Sequence, residues 1–570
     1  MRYHVLACDY DGTLAKDGRV DDATLAALTR VKESGRKLAL VTGRELDDLE
    51  ANFTALDVFD QIIAENGALL YTPATRTEKP LAEAPSRELV RWLEERHVSP
   101  LSVGRSIIST WTPNDRIVFE AIRELGLELQ VIFNKGAVMV LPTGVNKASG
   151  LMAALAEMRL SPHNCVGVGD AENDHAFLTL CECAVAVANA LPALKERADL
   201  VTDADHGAGV AGLIDRLVRD DLADIGPKLT RHDVPLGTDA DGEEIHLRPH
   251  VESLLIAGTS GGGKSTLTTG MLERFIDKGY QACIIDPEGD YEHFEPSVLL
   301  GTSDNPPACA EALAVLNNPR ESATVNLLAL RVDERPEFIA ELFPQLLKLR
   351  SSTGRPHWLV LDEAHHVFPT DWQPSRDFVP DELYGLVLIT VHPDRVAESV
   401  LQTVDTIIAI GSDPDDTLRL FADAAGQPPP ASTGAKLEPG DGLLWRVSDG
   451  AGPAWFRSIP PRQQLQRHLR KYAEGKLGED RSFWFRGPDG RLRLRAANLM
   501  SFMEIGNGVD EETWLHHLRR GDYSRWIATC VKDDELAAEI AEVEKDGALS
   551  AEESRSLISR AIEKRYTLPA

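Results

Sequence analysis

Short apolar runs and amphipathic stretches alternate along most of the chain. Over residues 1–222 the runs YHVLACDYDG, KLALVTGR, DQIIAENGALL, AVMVLP and NCVGVGDAEND are rich in β-branched residues and end in acidic, glycine or hydroxyl residues. They read as strands. Between them lie helical patterns such as DDATLAALTRVKESG, where Asp21 and Asp22 suit a helix N-terminus. This alternation predicts an α/β fold with a parallel sheet and its chemistry at the C-terminal ends of the strands. The stretch 79–142 interrupts the series and reads as a small inserted α/β module. A second series starts near residue 235 with SLLIAG, QACIIDP, HWLVLDEA, LVLITVH and TIIAIG. The Pro/Gly-rich QPPPASTGAKLEPGDG (427–442) precedes a last strand, GLLWRV. After Pro460-Pro461 the texture changes to RQQLQRHLRKYAEGK and then to mostly helical patterns, which marks a boundary. The expected units are a core of 1–78 and 143–222, an inserted cap of 79–142, a second α/β unit of 223–460, and a small, mostly helical C-terminal unit of 461–570.

Composition narrows the class. Of 570 residues 43% are hydrophobic and 26% charged, enough apolar surface for several cores. No apolar run approaches the roughly 18 residues of a spanning helix. The acid at Asp9 interrupts any N-terminal signal region. Seven scattered cysteines without a CxxC pair suit a reducing, cytoplasmic setting. The 60 basic residues against 90 acidic ones leave a net charge of −30, all of it in residues 1–460. Such a surface opposes non-specific binding to a nucleic-acid backbone, although local basic patches stay open.

The first chemical constellation begins with DYDGT. Asp9 and Asp11, two apart at a strand end, share a face and can converge on one ligand; alone the pair is moderately specific, with a solvated turn as the lesser alternative. Thr42 and Gly43 end a second strand, where a hydroxyl and a backbone N–H can hold a phosphate oxygen. Lys147 opens a helix after the insertion, and GDAEND places Asp170, Asn173 and Asp174 after a later strand. Acids at the first and last loops (Asp9, Asp11, Asp170, Asp174) suit one Mg²⁺ shared with a substrate phosphate. In the order DYDGT, VTGR, ENGA, Lys147, GDAEND and VAVANALPALKERADLVT, residues 1–222 resemble the haloacid dehalogenase superfamily. The likeness is to its Cof or sugar-phosphatase branch, with a Rossmann-like core and an α/β cap. The resemblance implies that Asp9 forms an aspartyl-phosphate and that Asp11 protonates the leaving oxygen and then activates water. It makes Thr42, Gly43, Lys147 and Asn173 phosphate ligands, with Asp170 and Asp174 completing the Mg²⁺ site. Phosphoglycolate and sugar phosphates are the usual substrates of that branch, and a small phosphorylated metabolite is the expected partner. Nothing in the cap residues Arg105, Trp111 or Asn134 selects among them.

The second constellation is GTSGGGKST, with a strand before it and a helix after. Gly258, Thr259, Ser260, Gly261, Gly262 and Gly263 would curl backbone N–H groups around phosphates, Lys264 would reach the β and γ oxygens, and Ser265, followed by Thr266, would ligate Mg²⁺. ATP is the expected second ligand. HWLVLDEAHH supplies an apolar strand ending in Asp362, for the ion, and Glu363, for the attacking water. GTDADGEEIHLRPHVESLLIAGTSGGGKST and QACIIDPEGDYEHF resemble the FtsK–HerA group of P-loop ATPases, with Asp286, Glu288 and Asp290 as neighbours of the nucleotide. That resemblance implies ATP between subunits and a homo-oligomeric ring. The chain departs from the group at Thr390-Val391-His392-Pro393, where a polar Thr-Gln pair is usual, and it shows no assignable arginine finger.

In the C-terminal unit SFWFRGPDGRLRLRAANLM reads as two short strands around a turn, followed by helices with Trp514, Leu518, Trp526 and Ile527 as core. His516 and His517 point apart on a helix and make no metal site. Three functions are consistent with this architecture. The chain is a Mg²⁺-dependent phosphomonoesterase fused to an ATPase, a nucleic-acid-directed motor with an accessory phosphatase for nucleic-acid ends or nucleotides, or a nucleotide-switched scaffold.

Overall fold

The computed structural model describes the chain except for residues 260, 373–383, 463–476, 478–480, 489, 491, 532 and 567–570. Five strands come first: β1 (Val5–Asp9), β2 (Lys37–Val41), β3 (Gln61–Ala64), β4 (Leu69–Thr72) and β5 (Thr77–Pro80). The insertion contributes β6 (Ser102–Val103), β7 (Ile108–Trp111), β8 (Leu129–Asn134) and β9 (Ala137–Pro142). The chain then returns as β10 (Cys165–Gly169), β11 (Cys183–Ala186) and β12 (Leu200–Val201). The first sheet runs β12-β11-β10-β1-β2-β3-β4-β5, parallel from β12 to β3 and antiparallel at β4 and β5. All five residues of β1 are buried, because helices cover both faces of a parallel sheet. The helix Asp22–Glu33 is capped as expected: the Asp21 carboxylate accepts from Thr24 N at 2.7 Å.

The insertion forms its own antiparallel sheet, β6-β7-β9-β8. The helices Arg87–Glu95 and Asp115–Glu124 press Leu89, Trp92, Leu93, Val118 and Ala121 against it. A buried acid fastens this cap to the core. Glu65 accepts the backbone N–H groups of Arg105 (2.8 Å), Ser106 (2.8 Å) and Ile107 (3.2 Å), all on the cap.

The second α/β series opens with β13 (Val234–Thr238), β14 (Glu244–Leu247), β15 (Leu254–Gly258), β16 (Ala282–Asp286), β17 (Ser297–Leu300) and β18 (Ser322–Asn326). It continues with β19 (Trp358–Leu361), β20 (Leu386–Thr390), β21 (Thr406–Ile410), β22 (Asp441–Arg446) and β23 (Ala454–Ser458). These eleven strands form one sheet, β14-β13-β23-β22-β21-β15-β20-β19-β16-β18-β17. From β21 to β17 the pairing is parallel, and the other edge is antiparallel. The strand β20 slots between β15 and β19, so the end of Thr390 lies between the glycine-rich loop and the Asp362 strand end. The C-terminal unit pairs β24 (Phe483–Phe485) with β25 (Leu494–Ala496) and packs Phe502, Trp514, Tyr523, Trp526 and Ile558 into one aromatic-rich core. No helix among the described residues is long and apolar enough to cross a membrane.

The two large sheets meet at the N-terminal ends of their strands. His163 and Asn164, just before β10, face Tyr280, just before β16, and His357, just before β19. The His163 ring stacks on Tyr280 with centroids 3.7 Å apart, and its Nε2 lies 2.7 Å from Lys278 O. His357 Nε2 lies 3.2 Å from Asn164 Oδ1, and Arg355 donates to Arg159 O at 2.5 Å. Glu182 sits in this buried junction, taking the Arg2 guanidinium at 2.6 Å and His163 Nδ1 at 2.8 Å. The chemistry-bearing C-terminal ends therefore point away from each other. Two strands of five residues put on the order of 30 Å between them.

Candidate functional site

Three adjacent parallel strands build the first site. β10, β1 and β2 end side by side, which brings Asp170, Asp9 and Thr42 to one edge. The helix Lys147–Glu157, started by a capping box on Asn146, delivers Lys147 from the other side of the cap insertion. Lys147 is 1% exposed, and its Nζ donates to Asp9 Oδ1 at 2.5 Å and to Asp174 Oδ1 at 2.6 Å. Asp174 is fixed in turn, its Oδ2 accepting the N–H groups of Asp170 and Ala171, both at 2.8 Å. Burial, then the Asp174 carboxylate, pushes Asp9 above the ordinary carboxylate range, and Lys147 opposes the shift. Burial alone would lower the Lys147 ammonium, yet Asp174 and Asp9 hold it above its ordinary range. With the ammonium 2.5 Å away, the ion pair is the form this geometry favours; the rise at Asp9 reflects the cost of crowding several carboxylates in a dry pocket.

Asp9, Asp170 and Asp174 are all buried, and each offers a ligand oxygen within 4.8 Å of the others. Three carboxylates around one fully buried lysine leave an excess of negative charge, which suits a divalent cation. The Asp11 carboxylate, expected beside them, turns to Arg44 instead. Arg44 Nε and Nη2 fork its two oxygens, each at 2.7 Å, and Nη1 holds Asp48 at 2.9 Å. Thr42 is buried and its hydroxyl accepts Arg44 N at 3.1 Å. Gly43 lies beside Asn173 and the cap residue Met139; a Cβ there would stand 3.5 Å from Met139 Sδ and 3.7 Å from Asn173 Nδ2. Asn173 donates to Asn66 Oδ1 at 3.0 Å, and Asn66 sits in a left-handed turn with Glu65. Gly12 is obligatory: its φ is +92°, and a Cβ would lie 2.3 Å from Asp170 Oδ2.

Two residues at this site escaped the sequence reading. Arg44 directly follows Thr42-Gly43 in VTGR, so its position was legible although its partner was not. Lys135, at the tip of the cap hairpin, gave no local signal; its Nζ reaches Asp170 Oδ2 at 2.7 Å and Asp11 O at 3.3 Å.

The second site forms at the ends of β15, β16 and β19. Gly258, Gly261 and Gly263 take positive φ, and the helix Lys264–Asp277 starts directly behind them. Thr259, Gly262 and Thr266 lie in the same turn and first helical residues, while Ser260 is outside the described residues. Lys264 Nζ donates to Gly258 O and Thr259 O, both at 3.0 Å, so it folds over its own loop. The Ser265 hydroxyl donates to Asp290 Oδ2 at 3.2 Å, and Asp286 accepts the N–H groups of Asp290 (2.8 Å) and Tyr291 (2.6 Å). Asp362 is buried, and burial, followed by Glu363, Asp290 and Asp286, holds its carboxyl well above the usual range. Glu363 adopts a left-handed φ of 43°, and Thr390 Oγ1 lies 3.0 Å from His365 Nδ1. From the C-terminal unit Arg481 reaches Glu288 at 2.7 Å.

Comparison with known proteins separates the two halves. The family described as haloacid dehalogenase-like hydrolase matches residues 6–117 and 118–214, and the central domain of helicase HerA matches residues 234–366. The phosphoglycolate phosphatase of Methanothermobacter thermautotrophicus is 31% identical over 223 residues, covering 37% of this chain and 98% of that protein. Phosphoglycolate phosphatase 2 of Saccharolobus solfataricus is 29% identical over 219 residues, covering 38% of this chain and 92% of that protein. A solved haloacid dehalogenase-like hydrolase from Bacteroides thetaiotaomicron covers 38% of this chain and 99% of its own, with 19% identity and a TM-score of 0.35.

Proposed function

The chain belongs to the haloacid dehalogenase-like hydrolases through residues 6–214, with a HerA-like central domain behind them, and from that premise we propose a magnesium-dependent phosphomonoesterase fused to an ATP-hydrolysing unit. One observation carries the proposal: Lys147 joins Asp9 and Asp174 inside a buried pocket that also contains Asp170. The similarity to two phosphoglycolate phosphatases supports phosphoglycolate, or a phosphorylated acid like it, as substrate.

Asp9 is the nucleophile. Its carboxylate oxygen bonds to phosphorus while the ester P–O bond breaks, and the leaving oxygen takes a proton from Asp11. Water then attacks the aspartyl-phosphate, Asp11 takes the water's proton, and the acyl P–O bond breaks to free Asp9 and phosphate. For this role Asp11 must swing from the Arg44 fork toward the leaving oxygen. Lys147 keeps Asp9 ionised in its dry setting and offsets charge on the phosphoryl group. Asp9, Asp170 and Asp174 would hold magnesium, which supplies charge neutralisation at the phosphoryl oxygens. Thr42, Gly43 and Asn173 orient those oxygens.

In the other half Gly258–Thr266 would bind ATP, with Ser265 and Asp362 on its magnesium and Glu363 directing water. The HerA likeness supports a ring of such subunits, and the acidic composition disfavours DNA as its track. The test is phosphate release from phosphoglycolate and a panel of sugar phosphates. Asp9→Asn, nearly equal in volume, should lose roughly 10⁴-fold or more of this activity while ATP binding stays intact; wild-type turnover in the variant would remove Asp9 from its role.

A further inference from the structure

Lys135 occupies the tip of the hairpin between β8 and β9 of the cap. Both Lys135 (φ 47°) and the following Gly136 (φ 90°) are left-handed, the backbone of a tight two-residue turn. Asparagine, aspartate or glycine is the ordinary first residue of such a turn, so a lysine there calls for an explanation from its side chain. The tip crosses from the cap to the core. Nζ lies 2.7 Å from Asp170 Oδ2 and 3.3 Å from Asp11 O, and it would stand 2.7 Å from a Cβ on Gly12. Lys135 thus overhangs the mouth of the pocket, its side chain 48% exposed against 4% for Asp170.

Three other cations here are held in ion pairs. Lys147 is enclosed between Asp9 and Asp174, Arg44 is forked on Asp11 and Asp48, and Arg105 reaches from the cap to Asp47 and Glu78. Lys135 has one carboxylate partner among the described residues, Asp170, which is also one of the three oxygens available to a divalent cation. A cation held by Asp170 would compete with Lys135 for that carboxylate and free the ammonium, which also contacts Asp11 O at 3.3 Å, for another anion. An in-line attack by the buried Asp9 would expel the leaving group from the far side of phosphorus, toward the mouth that Lys135 overhangs. A second anion on that leaving group then meets Lys135.

We infer that Lys135 is a specificity-determining residue, which binds the carboxylate of a small phosphorylated carboxylic acid while Asp9 attacks its phosphorus. The inference rests on the phosphatase reading above and deepens it. It explains why a hairpin tip carries a long cation in a backbone shape that favours short residues.

The test compares phosphoglycolate with ethyl phosphate, the same two-carbon ester lacking the carboxylate, at saturating Mg²⁺. The full chain, Lys135→Met and Lys135→Arg are assayed for kcat and KM on both. A lost charge-assisted contact of this kind corresponds to about 10- to 100-fold. Lys135→Met should lose that much in kcat/KM on phosphoglycolate, mainly through KM, and much less on ethyl phosphate, so that the preference collapses; Lys135→Arg should recover most of it. Equal losses on both esters would overturn the inference in favour of a structural or cation-replacing role, and so would an undiminished preference in Lys135→Met. If the unaltered chain hydrolyses neither ester nor any other phosphomonoester, the phosphatase reading itself fails. Hydrolysis of both esters at equal efficiency would keep that reading and reject the role of Lys135.

Discussion

The pocket at Asp9 and the pocket at Lys264 reach readiness by different routes. In the first, side chains from distant segments satisfy one another: Lys147 binds Asp9 and Asp174, Asp174 binds two backbone N–H groups, and Arg44 binds Asp11. In the second, the lysine lies over the carbonyls of its own glycine loop and the serine hydroxyl rests on Asp290. The difference fits the roles proposed for the two pockets. A covalent nucleophile needs a fixed attack geometry before the substrate arrives. A phosphate loop is a set of N–H groups and one long cation suited to a chain of phosphates, and here its lysine donates to two carbonyls of the loop itself. The two sheets meet at their N-terminal ends, so among the described residues the junction at Glu182 lies between the two pockets.

Four substitutions break or sharpen that contrast. The largest effect of the four is expected in the pocket proposed for ATP. Lys264→Ala should weaken ATP binding about 100-fold, since it removes a charged phosphate contact. Glu363→Gln should bind ATP normally and hydrolyse it about 100-fold more slowly, since it removes only the group that directs water. Nucleotide titration followed by single-turnover hydrolysis separates the two; equal loss of binding in both would refute the division of roles. Phosphate release from phosphoglycolate should change little in either.

Gly12→Ala comes next. The new methyl would collide with Asp170 from a backbone shape that alanine resists, displacing a carboxylate of the preorganised pocket. Phosphatase activity should fall roughly 10- to 100-fold, with ATP hydrolysis unchanged. An unaffected phosphatase would mean that this pocket tolerates rearrangement as well as the other does.

The smallest effect on activity and the broadest on stability belongs to Glu182→Gln, at the junction. Burial disfavours the Glu182 carboxylate, but His163, His250 and Arg2 outweigh it and hold its pKa well below the usual range. A carboxyl depressed in the folded state contributes stability above its unfolded pKa and loses it as pH falls. The unaltered chain should therefore lose stability on acidification below about pH 5. Glu182→Gln should be less stable by roughly 3 kcal/mol at neutral pH, because Arg2 and His163 keep their burial without the carboxylate. Its loss on acidification should be shallower. Thermal melts across pH check both points.

Much of this arrangement was legible because the chemistry sits in short runs at strand ends. DYDGT, GDAEND and the glycine loop each place their reactive residues within a few positions of one another, and the apolar runs before them identify the strands. What escaped depends on distance. Nothing near Glu65 shows that its carboxylate holds the cap backbone at Arg105 and Ser106, and nothing near Lys135 shows that the hairpin tip descends on Asp170. The Arg44 fork redirects Asp11 by a side-chain choice that spacing does not encode. The insertion of β20 between β15 and β19, and the back-to-back meeting of His163 with Tyr280, are matters of strand order, which local patterns leave open.

The central claim is covalent: phosphorus passes through Asp9. Asp11→Asn keeps the nucleophile and removes the group that both protonates the leaving oxygen and activates water, so with an ester whose leaving group needs no proton only the second step is blocked and the phosphorylated enzyme should accumulate. Incubating this variant with p-nitrophenyl phosphate and Mg²⁺, quenching in acid and weighing its peptides by mass spectrometry should show the Asp9 peptide heavier by one phosphoryl group, and no such gain in Asp9→Asn/Asp11→Asn. A peptide of unchanged mass, from a variant that still releases phosphate, would contradict the claim.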